Sequence, residues 1–87
     1  MKIKYSFHKS AEIFFERHKD IELKFKFNIE NFFNENIQCD IIKMRGYKDT
    51  FRMRVGNYRV IYTFSRKGFI IVYVVNAGPR GDIYKKL

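Results

Sequence analysis

Four arginines and a tyrosine in the second half of the chain, Arg52, Arg54, Arg59, Arg80 and Tyr84, have the types and spacing of an anion-handling site. A guanidinium group stays charged and presents a planar fork of N–H donors, which meets two oxygens of a carboxylate or phosphate at once. Arg52 and Arg54 are two residues apart, so an extended strand places both on one face. Gly56-Asn57 follows, a two-residue connection between alternating stretches and therefore a hairpin signal. Pairing across that turn sets Val55 opposite Tyr58, Arg54 opposite Arg59, Met53 opposite Val60, Arg52 opposite Ile61 and Phe51 opposite Tyr62. One face of the ribbon then carries Phe51, Met53, Val55, Tyr58, Val60 and Tyr62 and reads as core, while the other carries Arg52, Arg54 and Arg59. Like charges directly opposed weaken an antiparallel pair by a few tenths of a kcal/mol, on the order of 0.2–1. Arg54 against Arg59 makes sense when an anion sits between them. The next strand returns toward the Gly56-Asn57 end, so its exit loop brings Arg80, and four residues later Tyr84, to the same end. Lys43, Arg45 and Lys48 are expected to border this cluster.

The distribution of charge agrees. The 87 residues carry 18 Lys and Arg against 9 Asp and Glu, a net charge of +9. From Met1 to Asp40 seven basic residues balance seven acidic ones, and from Ile41 onward eleven face only Asp49 and Asp82. Six of the seven arginines lie in that second half. Segregation of this kind implies an anionic partner, a nucleic acid or an acidic protein segment.

Other chemistry is poorly served. His8 and His18 have the pKa of acid–base residues, but both lie in the first half, away from the arginines. His18 falls on a helical apolar stripe and reads as a packing residue; His8 reads as a surface or capping residue. Two histidines without matching carboxylate spacing give no metal site, and no cofactor motif is present. The single cysteine, Cys39, makes no disulfide framework and reads as a small, half-buried residue in a reducing compartment. Gly78-Pro79-Arg80-Gly81 does not match a phosphate-binding loop. No signal peptide or membrane-length apolar run is visible, so a soluble cytoplasmic protein is expected.

The elements that must position the arginines follow from periodicity. Residues 1–87 suit one domain. Ten Phe and six Tyr supply large apolar surfaces for a core that a chain of this size otherwise builds sparingly. Lys2 to Phe7 alternates as a half-buried strand. Ser10 is the expected N-cap of a short helix carrying Ala11, Phe14, Phe15 and His18. A second helix is expected from about Asp20 to Glu35, with Ile21, Phe25, Ile29, Phe32 and Phe33 as its stripe and Glu22–Lys26 as an i,i+4 pair. Leu23 and Phe27 fall off the stripe; they either widen it or offer an apolar patch to a partner. Strands follow over Ile41–Arg45, Thr50–Val55, Tyr58–Ser65 and Phe69–Val75. The last is apolar on both faces, as a strand covered on both sides would be. Ala77–Gly81 is expected to be loop, because Pro and Gly end a ladder. The class is α+β: an N-terminal strand, a helical hairpin, then a three- to four-stranded antiparallel meander with the helices on one face.

The stretches Phe51-Arg52-Met53-Arg54-Val55-Gly56-Asn57-Tyr58-Arg59-Val60-Ile61-Tyr62 and Gly78-Pro79-Arg80-Gly81-Asp82-Ile83-Tyr84-Lys85, with Met44-Arg45-Gly46 before them, resemble the RelE/ParE toxin superfamily of toxin–antitoxin systems. The resemblance covers about half of the chain. It implies a RelE-like toxin that cuts messenger RNA in the ribosomal A site without a metal or other cofactor. The ribose 2′-hydroxyl would attack the adjacent phosphate, leaving a 2′,3′-cyclic phosphate and a 5′-hydroxyl. Arg59 and Arg80 match the family's phosphate-binding arginines, and Tyr84 matches the C-terminal tyrosine that orients the scissile nucleotide. Arg52 and Arg54 stand where the best-known ribonuclease members carry lysines. Arginine is a poor general base, so these two would act electrostatically on the phosphorane. The base is open among Tyr84, Lys43 and Lys48. Lys43, Arg45, Lys48, Lys85 and Lys86 would bind RNA, including ribosomal RNA. The implied partners are the message on the ribosome and an acidic antitoxin in a heteromeric complex. The same fold serves ParE-like toxins, which bind gyrase and cut no RNA, so that reading is the alternative.

Overall fold

The computed structural model describes residues 2–35 and 41–79. Strand β1 (Ile3–Phe7) leads into helices α1 (Lys9–Arg17) and α2 (Lys19–Asn34), followed by strands β2 (Ile41–Lys43), β3 (Thr50–Val55), β4 (Tyr58–Arg66) and β5 (Ile70–Pro79). The five strands form one sheet in the order β1-β5-β4-β3-β2. Strands β2 to β5 are the expected antiparallel meander, and β1 joins it parallel to β5, with Ile3 opposite Ile70 and Phe7 opposite Val74.

The helices cover one face of this sheet. Ile21, Phe25 and Ile29 are the buried part of the α2 stripe and meet Met53, Val60, Tyr62, Val72 and Val74 in a single core. Phe25 sets its edge against Tyr62, with ring centroids 5.5 Å apart. Phe33 does the same with Phe64 at 5.0 Å. Glu22 and Lys26 form the expected pair at 2.9 Å. The Tyr5 phenol packs beside this helix and donates to the Lys26 carbonyl at 3.4 Å; burial, and then Glu30, push its pKa up, so it is a packing group and not an acid–base one.

Three expectations need correction. The cap of α1 is His8, whose Nδ1 accepts from the Ser10 N–H at 3.3 Å; Ser10 lies inside the helix and points its hydroxyl at Asn76 Oδ1 instead. The last strand does not stop at Val75 but continues through Ala77, Gly78 and Pro79. A bulge lets it do so: Ile61 pairs with Asn76 and Tyr62 with Val74, leaving Val75 as the extra residue. Pro79 is the final ladder residue, where a missing N–H costs least. Finally, the outer face of β5 is not covered by a layer of helices or strands among the described residues; Tyr73 stands 37% exposed there.

Candidate anion-binding face

The hairpin determines how the arginines meet. Gly56 has φ 61°, while Asn57 does not enter the positive-φ region, so the turn follows the type II′ pattern that suits a right-twisted ribbon. The register is the one expected from the sequence: Val55 opposite Tyr58, Arg54 opposite Arg59, Arg52 opposite Ile61. Met53, Val55, Val60 and Tyr62 enter the core, with Phe51 and Tyr58 packed against it. Arg52, Arg54 and Arg59 therefore share the face turned away from the helices.

Arg59 is the unusual member of the three. It is only 8% exposed, and its buried Nε has no hydrogen-bond partner among the described residues. Removing a charged group from water costs several kcal/mol unless something compensates it. Its neighbour on β5 is Gly78, which lies directly opposite and carries no side chain. Arg54, directly across on β3, is exposed. The result is a cross-strand pair of guanidinium groups, one buried and one facing solvent, suited to an oxyanion.

Strand β5 runs beside this pair. Its last residue, Pro79, pairs with Tyr58, beside the turn. Arg80 follows Pro79 directly in the chain. Arg80, Tyr84, Lys85 and Lys86 lie outside the described residues, as does Cys39.

The second group of cations is placed differently from expectation. Strand β3 runs from Thr50, next to the β2–β3 loop, to Val55, next to the hairpin turn. Lys43, Arg45 and Lys48 thus sit at the opposite end of β3 from Arg54. Four residue steps lead from Thr50 to Arg54, about 13 Å at ~3.3 Å per residue. Lys43 pairs with Phe51, a residue of the core-side face, so it does not project with the arginines. The sequence gives no direct measure of this distance, because the loop's reach depends on how β2 docks on β3. What the loop does reach is Arg52: a groove of about 440 Å³ is lined by Ile42, Met44, Arg45 and Arg52 together with Lys43.

The histidines are structural. His8 caps α1, and His18 links α1 to α2, with Nδ1 donating to the Phe14 carbonyl at 3.0 Å. The His18 ring stacks on Phe14 at 4.2 Å and leans on Tyr58 at 5.0 Å. Leu23 and Phe27 do not widen the core stripe; they are 70% and 66% exposed on α2.

No family model and no curated protein matches the chain. Solved structures do. A RelB–RelE antitoxin–toxin complex from Methanococcus jannaschii contains a chain 29% identical, with a TM-score of 0.63, over 94% of this chain and 98% of that one. An archaeal RelE–RelB complex from Pyrococcus horikoshii matches at 24% identity and a TM-score of 0.62, over 94% and 99%, and speaks to the fold. The strand–helix–helix–meander order and the end-to-end likeness to these chains give the protein a RelE-like fold.

Proposed function

We propose that this chain is the toxin of a toxin–antitoxin pair and that it cuts messenger RNA on the ribosome in the cytoplasm. The carrying observation is Arg59: a buried guanidinium whose Nε has no hydrogen-bond partner among the described residues, facing Arg54 across the ladder and Gly78 on its other side. That pair of cations suits a phosphate whose charge rises during reaction. In the proposed step the 2′-oxygen attacks the adjacent phosphorus and the bond to the 5′-oxygen breaks. The 2′-hydroxyl proton goes to a base, and the departing 5′-oxygen takes up a proton. The products are a 2′,3′-cyclic phosphate and a 5′-hydroxyl, and no metal is needed for the atoms to balance. Arg59 and Arg54, with Arg80 and Arg52, stabilise the phosphorane. Lys43 and Lys48 are at the far end of β3, which favours Tyr84 as the group that moves the proton. Orientation by the ribosome supplies the rest of the acceleration.

The test adds the protein to a translating extract and maps new 5′ ends on the message. Breaks within codons, bearing 5′-hydroxyls, are expected. Intact message together with inhibited DNA supercoiling would overturn this reading in favour of a gyrase-binding toxin.

The RelB–RelE complexes support an antitoxin partner. Leu23 and Phe27, one helical turn apart and bordered by Lys24, Lys26 and Glu30, offer it an exposed apolar ridge. Phe27→Asp is expected to weaken the antitoxin complex at least about 10-fold in calorimetric titration, as loss of a buried aromatic anchor does, while message cleavage by the free toxin stays at the wild-type rate.

A further inference from the structure

The β2–β3 loop carries an aromatic side chain that the fold does not use. Its backbone closes on itself: the Met44 N–H donates to the Thr50 carbonyl at 2.8 Å, and the Thr50 hydroxyl donates to the Lys48 carbonyl at 3.0 Å. Gly46 (φ 80°) and Asp49 (φ 50°) turn the chain through the left-handed region. This presents Tyr47 outward, 44% exposed and in no ring contact among the described residues. Lys43, Arg45 and Lys48 surround it in a groove of about 470 Å³, in which Asp49 is the one acid. This groove shares Lys43, Met44 and Arg45 with the one that reaches Arg52. The two adjoin through these residues as one trough, lined by apolar Ile42 (50% exposed) and Met44 and by the cations. Apolar lining, an exposed phenol and cations together are what a single-stranded nucleic acid requires: bases stack, and phosphates are held by charge.

We infer that Tyr47 is a stacking platform for a base of single-stranded RNA lying in this trough. The inference rests on the proposed RNA target and extends it: the chain grips RNA along a path that runs from the arginine face to Tyr47, at least about 13 Å along β3 from Arg54. An acidic peptide would satisfy the cations but leave the apolar lining and the phenol face without a partner.

The probe is a short oligonucleotide, 2′-O-methylated throughout so that it cannot be cut, with one 2-aminopurine. Binding to the intact protein is followed by fluorescence without ribosomes. Wild type is expected to quench the 2-aminopurine by stacking. Tyr47→Ala is expected to lose the quench and about 10-fold in affinity, and Tyr47→Phe to keep both. The slope of log affinity against log salt is expected to stay unchanged in Tyr47→Ala and to fall by about 0.7 in Lys48→Ala, which loses one phosphate contact. Wild-type affinity and quench in Tyr47→Ala would overturn the inference. So would a polyglutamate peptide that binds the wild type and is weakened equally by Tyr47→Ala. Because no ribosome or cleavage enters the measurement, its failure is distinct from failure of the ribonuclease reading.

Discussion

Arg59→Met is expected to lower message cleavage by about 10²–10³-fold while raising the thermal midpoint of the protein by about 4 °C or more. The first half follows from the position of the guanidinium. It is 8% exposed, so a donor aimed at developing charge acts there through a medium with little water. Loss of one such preorganised donor costs roughly 10²–10³ in turnover. The second half follows from the same burial. A buried cation whose Nε finds no partner among the described residues, facing a second arginine across the ladder, is a liability to the folded state. Methionine keeps much of the stem volume and removes the charge. For a domain of this size, each ~1 kcal/mol gained moves the midpoint by about 4–8 °C. Cleavage in a translating extract and calorimetric melting measure the two halves on one variant. Lower stability in Arg59→Met would show that the charge is compensated in the folded chain, and undiminished cleavage would remove Arg59 from the reaction.

That opposition of stability and activity was partly visible in the residues themselves. The hairpin register was legible because Gly56-Asn57 admits only a tight reversal, and because a slip of one residue would send Met53, Val55, Val60 and Tyr62 into water. Arg54 opposite Arg59 then followed. The α2 stripe was legible for the same reason, since Ile21, Phe25 and Ile29 repeat every four residues. The burial of Arg59 was not legible. It depends on Gly78, nineteen positions on, standing opposite it, and the usual effect of Gly-Pro on a ladder hid that pairing. The bulge at Val75 has no local signature among the apolar residues around it. The cap of α1 was misplaced because serine is the commoner N-cap, whereas His8 sits where the β1 backbone is still extended and its ring nitrogen reaches the Ser10 N–H. The reach of Lys43, Arg45 and Lys48 was misjudged because strand direction, not proximity in sequence, decides which end of the sheet a loop occupies. Apart from the local cap of α1, each miss is therefore a pairing between distant segments, and each hit is a local pattern reinforced by burial.

Arg80 tests whether the pairing at the hairpin end defines one site. Arg80→Ala alone is expected to lower cleavage at least about 10²-fold with the fold intact, by the reasoning applied to a single oxyanion donor. The sharper measurement combines it with Arg59→Ala. Strand β5 ends with Pro79 opposite Tyr58 and Gly78 opposite Arg59, at the hairpin end of the sheet. If both arginines hold the same phosphorane, neither acts fully without the other, and the double variant is expected to lose much less than the product of the two single losses. If they serve separate phosphates along the message, the losses multiply. Single-turnover cleavage of ribosome-bound message by the four proteins supplies the cycle, and circular dichroism of each confirms the fold. Multiplying losses would leave the Arg54–Arg59 pair as a phosphate-binding site on its own and place the reacting phosphate elsewhere on the face. Strong coupling would tie the pair to the residue that follows β5, and so locate the chemistry at the hairpin end of the sheet and not at the loop that carries Tyr47.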